Sequence, residues 1–212
     1  MNALVRNTFL IPIASIFFVS GCSQPTTPAA SAAADTAKEA VAPVEPVTAK
    51  TALWPMYTSA RSWTTDFVIL KLTPKELTAY KNEAGKAAMW EATFASPSRH
   101  EYRVYTYAIA AQAPDIYKGV VVGRPMPWSG ETREVMAIPL SDFNVDSDVA
   151  YKTAVADAGV FTKKYPEKKL SAFELYHAYR FQSPIWYAKW GDQKLGYVAV
   201  VNANDGKLVK KN

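Results

Sequence analysis

The chain has 212 residues, one cysteine and two histidines. A single cysteine excludes an intrachain disulfide and a multi-cysteine metal site, and two histidines exclude a histidine-rich cluster. Hydrophobic residues at 49% and charged residues at 20% rule out a wholly disordered chain, and a net charge of +5 is too mild for the footprint of a nucleic-acid binder.

The chain opens with Arg6 as the lone charge of its first stretch, then the apolar run Thr8–Ser20, then Gly21-Cys22. A charged start, an apolar run and a small-residue exit predict a secretory signal peptide over residues 1–21. The run is shorter than the about 20 residues a membrane-spanning helix needs, and Pro12 weakens it further. Val19-Ser20-Gly21-Cys22 resembles the lipobox of bacterial lipoproteins. The resemblance implies diacylglycerol on the Cys22 sulfur, cleavage before Cys22 and acylation of the new amino group. With Ser23 rather than Asp next, it also implies sorting to the outer membrane, with the rest of the chain facing the periplasm. One acyl chain anchors marginally and two anchor stably, so the lipid bilayer is a partner through Cys22.

Residues 22–50 contain no aromatic residue and no Leu, Ile or Met, while Ala, Pro and Thr dominate. Such a segment cannot bury enough apolar surface to offset chain entropy and is expected to be a disordered tether reaching about 30 Å.

From Thr51 onward the pattern is helix, strands, helix, strands. Ala60, Trp63, Phe67 and Leu70 at three- and four-residue spacing predict an amphipathic helix over Thr58–Leu72, with Thr73-Pro74 capping a second, short one. Trp90–Ala95, Glu101–Ala111 and Tyr117–Val122 read as successive strands of an antiparallel meander. Asp146 or Ser147 caps a helix over Val149–Gly159, with Gly159 at its C-terminal turn. Phe173–Phe181, Ile185–Trp190 and Gly196–Ala203 follow as strands, and Asn204-Asp205-Gly206 signals a hairpin returning through Lys207–Lys210. Trp90-Glu-Ala92-Thr-Phe94 matches Trp186-Tyr-Ala188-Lys-Trp190, and Trp63–Asp66 aligns with Ala154–Asp157. The expected fold is therefore α+β, with antiparallel sheets packed against helices in two α-β-β-β units, residues 51–140 and 141–212.

Ser183-Pro184-Ile185-Trp186-Tyr187, followed by Gly196–Ala203 and Asn204-Asp205-Gly206-Lys207-Leu208, resembles the C-terminal half of a PepSY-like domain. The resemblance covers Asp146–Lys210, though Asn202 stands where the family has Asp and Asp205-Gly206 where it has Thr-Gly. It implies a small α+β domain of exported proteins that regulates peptidases or the local envelope environment, and it carries over no catalytic residue.

Signals for chemistry are sparse. No nucleophile elbow, phosphate loop, dinucleotide fingerprint or paired-histidine zinc motif occurs. His177 falls on the apolar face of its predicted strand, which suits a core histidine. Ser96 and Ser98 near His100 have the residue types of a nucleophile–base pair but no third, orienting group. Asp142, Asn144, Asp146 and Asp148 alternate as in a calcium loop, yet Ser147 and Thr153 stand where such a loop needs Gly and Glu, and helix capping accounts for Asp146–Asp148. Asp66 and Asp157 read as solvated helix positions, and the lysines of Lys163–Lys169 as a solubilising loop. The expectation is a non-enzymatic envelope lipoprotein that needs no cofactor and no metal. It binds or restrains a protein or peptide partner and no nucleic acid; a structural or stress-related envelope component is the alternative, and a wall or peptide hydrolase the third reading. Trp128, on the loop Arg124–Trp128, together with Tyr187 and Trp190 are the candidate contact residues. The candidate sheet edges are Tyr117–Val122 and Lys207–Val209.

Overall fold

The computed structural model describes residues 44–209. The signal-peptide and lipidation readings at residues 1–22 and most of the tether reading lie outside the described residues. The elements are α1 (Ala49–Trp63), β1 (Val68–Lys75), β2 (Met89–Ser96), β3 (Glu101–Ala108), β4 (Gly119–Val122), β5 (Met126–Pro127), α2 (Ser147–Asp157), α3 (Gly159–Lys164), β6 (Leu170–Tyr176), β7 (Ile185–Gly191) and β8 (Gly196–Asn202). One 8-stranded antiparallel sheet runs in the order β4-β3-β2-β1-β6-β7-β8, with β5 on β3. The α+β expectation therefore stands, but as a single sheet that both units share. The order α-β-β-β occurs twice, and the antiparallel β1–β6 pair at the centre relates the two units by an approximate two-fold.

The helices cover one face of the sheet, and their sequences explain how closely. α1 buries Ala49, Ala52, Leu53, Met56 and Ala60, and α2 buries Ala150 and Ala154, with Ala158 buried just after it. These alanines recur at helical spacing and lie against Trp90 and Trp186, both fully buried, whose rings meet edge to face at 6.5 Å. Each indole nitrogen donates to a backbone carbonyl in the chain just before a helix, Trp90 to Val47 O at 3.0 Å and Trp186 to Val145 O at 2.9 Å. The match between Trp90–Phe94 and Trp186–Trp190 is therefore a match of position in the fold. The helix alignment is not: α1 and α2 correspond from their starts at Ala49 and Ser147, and Asp66 lies beyond α1.

The two helix starts meet. The Asp146 carboxylate accepts from the amides of Ser147 (2.7 Å) and Lys50 (3.0 Å), and the Ser147 hydroxyl oxygen accepts from the Ala49 amide at 2.9 Å. One carboxylate thus faces the positive ends of both helices.

Four local expectations are corrected. The helix predicted over Thr58–Leu72 runs Ala49–Trp63 instead, inside the boundary assigned to the tether, and Val47 already pairs with Ala87. Burial of its apolar stripe outweighs the about 3 kcal/mol that Pro55 costs a helix interior. Val68–Leu72 is strand because β-branched and leucine side chains there pack on both faces of the sheet, and Thr73-Pro74 continues that strand to Lys75 instead of starting a helix. Gly159 opens α3 in place of closing α2. Lys207–Val209 closes the β8 edge through single contacts, Asn202 N–H to Lys207 O and Val209 N–H to Val200 O, with no regular strand.

A candidate binding cleft where the sheet splits

The ladder between β1 and β6 holds only Lys71↔Tyr176 and Leu72↔Leu175. Its flanking ladders are longer: β1 pairs with β2 as far as Lys75↔Met89, and β6 with β7 from Leu170↔Trp190. Beyond Leu72 and Leu175 the two central strands part, and a cleft of about 700 Å³ opens between Thr73-Pro74 on one side and Leu170–Glu174 on the other. The sequence cause is Pro74. Continued pairing would set it opposite Phe173, where a ladder needs an amide donor that proline lacks.

The cleft is lined on one flank by Lys81–Lys86 of the β1–β2 connection and on the other by residues between Thr162 and Lys169. Tyr151, Phe173 and Trp190 line its apolar part, and Tyr151 meets Phe173 edge to face at 5.8 Å. Gly85 lets the first flank touch α2: its φ is +77°, and a Cβ there would lie 2.3 Å from Ser147 O. On the second flank Lys168 Nζ meets Asp192 Oδ2 at 2.8 Å. The lysine's hydrogen bond and the amides of Leu195 and Lys194 hold the Asp192 carboxyl down to about 2, and the same bond raises Lys168 above the usual lysine range. The other ionic groups mix signs, Lys81, Lys86 and Lys169 against Glu76, Glu83 and Glu174, so the cleft has no dominant charge.

The opposite end of the β1–β6 junction is filled by the chain itself. Ile138 pairs antiparallel with Ile69, its amide 2.7 Å from Ile69 O, and its side chain enters the core at 3% exposure. Met136 N–H donates to His177 O at 2.9 Å, and Tyr179 N–H to Arg133 O at 2.9 Å. His177, 9% exposed just past β6, donates from Nδ1 to Ala137 O at 2.8 Å. His177 is a clasp for the segment Arg133–Ile138, which agrees with its reading as a core histidine.

The three predicted contact residues are not brought together. Trp190 is 5% exposed and shows the cleft only part of its ring. Tyr187 lies on the opposite sheet face beside Tyr176, at 6.2 Å, and burial followed by Tyr176 and Glu174 pushes its hydroxyl above the ordinary tyrosine range. Trp128 is half-buried at the far end of the sheet, its amide 2.8 Å from His100 O. Trp54 is on α1, 71% exposed and stacked on Tyr57 at 6.1 Å.

The Ser96–Ser98–His100 turn is a structural knot. The Asp66 carboxylate accepts from the hydroxyls of Thr64 and Ser96, the latter at 2.7 Å, and from the Ser98 amide at 2.7 Å. These bonds hold Asp66 far below the usual carboxylate range. Ser96 is fully buried, which keeps its hydroxyl out of a substrate's reach. Asn144 is likewise engaged, its amide 2.6 Å from Asn204 Oδ1, and among the described residues no group of three or more His, Cys, Asp or Glu is placed to hold a metal ion. Among the described residues no helix is long and apolar enough to cross a membrane.

Sequence reasoning missed the cleft because its edges come from strands far apart in the chain. The available signal was Pro74 inside a strand-like run, which was assigned to a helix start instead.

No family model matches the chain, the PepSY-like one included, and no curated protein matches it. The crystal structure of a candidate lipoprotein from Clostridium difficile 630 resembles this fold with a TM-score of 0.47 and 10% sequence identity, over 79% of this chain and 91% of that one.

Proposed function

We propose that this chain is a lipid-anchored envelope protein, acylated at Cys22, whose α+β domain binds a peptide segment of a protein partner without catalysing a reaction. The observation that carries the binding reading is the cleft of about 700 Å³ at the split between β1 and β6. Its size falls within the about 300–1,000 Å³ typical of ligand sites, and it pairs aromatic lining with strand backbone. The anchoring reading rests on Val19-Ser20-Gly21-Cys22 directly after an apolar run. Ser23 after the cysteine favours the outer membrane, with the domain in the periplasm, and a PepSY-like role in restraining a peptidase is one form such binding takes.

Two measurements test this. Cys22→Ser should abolish labelling by a fatty-acid analogue and release the protein from membranes; unchanged labelling refutes the anchor. A photo-crosslinking amino acid at Ser171, in the cleft, should capture a discrete protein adduct in intact cells, and the same group at Val121, on the β4 edge, should not. Equal capture at both positions refutes the cleft as the site.

A further inference from the structure

We infer that the partner's segment docks as an extended strand, adding its backbone to the free edge of β6 inside the cleft. This rests on the peptide-binding reading above and names the mode of recognition. Among the described residues, β6 from Leu170 to Glu174 is paired with β7 on one side and with no strand on the other, and β1 from Thr73 to Lys75 is paired with β2 alone. Unpaired strand backbone is a template for another strand. Pro74 keeps the chain from using that template itself, because β1 cannot complete the ladder opposite Phe173.

The molecule also contains its own precedent. At the two-fold-related end of the same junction, Arg133–Ile138 forms backbone hydrogen bonds to β1 at Ile69 and to the chain just past β6 at His177 and Tyr179, and Ile138 fills the core. The open end offers the counterpart: five residues of edge, about 17 Å of strand, beside the exposed parts of Tyr151, Phe173 and Trp190. The mixed charges of the rim select no single ionic type, which suits recognition through backbone with one apolar side chain seated inward.

The test pans a phage-displayed random heptapeptide library on the full lipidated chain in nanodiscs, then measures synthetic versions of the enriched peptides by fluorescence polarisation. Strand addition expects Ser171→Arg to weaken binding at least tenfold and Val121→Arg to leave it unchanged. N-methylation of alternate peptide amides should also weaken it at least tenfold. Near-ultraviolet circular dichroism verifies that both variants fold. Enriched peptides indifferent to N-methylation and to Ser171→Arg overturn strand addition while leaving peptide binding intact. No enrichment overturns both. Tenfold tighter binding after deletion of residues 24–43 puts the chain's own linker in the cleft and overturns the assignment to a partner.

Discussion

The two ends of the β1–β6 junction start from the same arrangement and finish differently. At one end the strands part and the chain returns to fill the gap with Arg133–Ile138; at the other they part around Pro74 and a cleft of about 700 Å³ stays open. The lesson is that a short central ladder is not by itself a weakness. Where a connection is long enough to come back it becomes core, and where Pro74 withholds an amide and the local loop turns away it leaves a cleft.

That contrast yields graded expectations. Ile138→Ala, at the filled end, should cost about 2–5 kcal/mol in urea unfolding, because it empties a core position; a loss below about 1 kcal/mol would mean that the segment merely rests on the surface. His177→Ala removes the clasp and leaves Ala137 O without its donor, at a cost of about 1–3 kcal/mol, with faster hydrogen exchange at Met136 and Ile138. Pro74→Val restores the donor and should let the central ladder extend, with gains of about 1 kcal/mol in stability and in exchange protection at Phe173 and with loss of peptide binding.

The fourth expectation concerns acid. Asp66 has a folded pKa below its unfolded value of about 4, so its contribution is complete above that pH and is lost as pH falls toward the folded value. Urea midpoints of the native chain should therefore drop below about pH 4, and Asp66→Asn should lower the midpoint at pH 7 and flatten the acid slope. The smallest effect belongs to the open end. Ser171→Ala should shift stability by no more than about 0.5 kcal/mol, since the position is exposed and carries no core contact.

How much of this was legible beforehand differed by element. β2 announced itself through alternation, and β3, β7 and β8 through runs of aromatic and β-branched residues between turn signals. The Asp146 cap was legible in Val145-Asp146-Ser147-Asp148, but its second role, at the start of α1, depends on Ala49 and Lys50, the two residues of that helix that fall inside the expected tether. α1 was obscured by Pro55 and by alanines that look like linker until a partner surface exists. The cleft was illegible for a different reason: Thr73 and Leu170 are distant in sequence, and only the sheet order makes them neighbours.

Gly85 carries one more consequence. Its lack of a side chain seats the Lys81–Lys86 wall directly on the first turn of α2, where Asp146 joins both helices. Moving that wall would cost its packing on the backbone of Ser147 and Asp148, so it is held in place by the start of α2. In the proposed docking, an incoming strand would surrender mainly its own freedom, with little ordering entropy left for the cleft to lose.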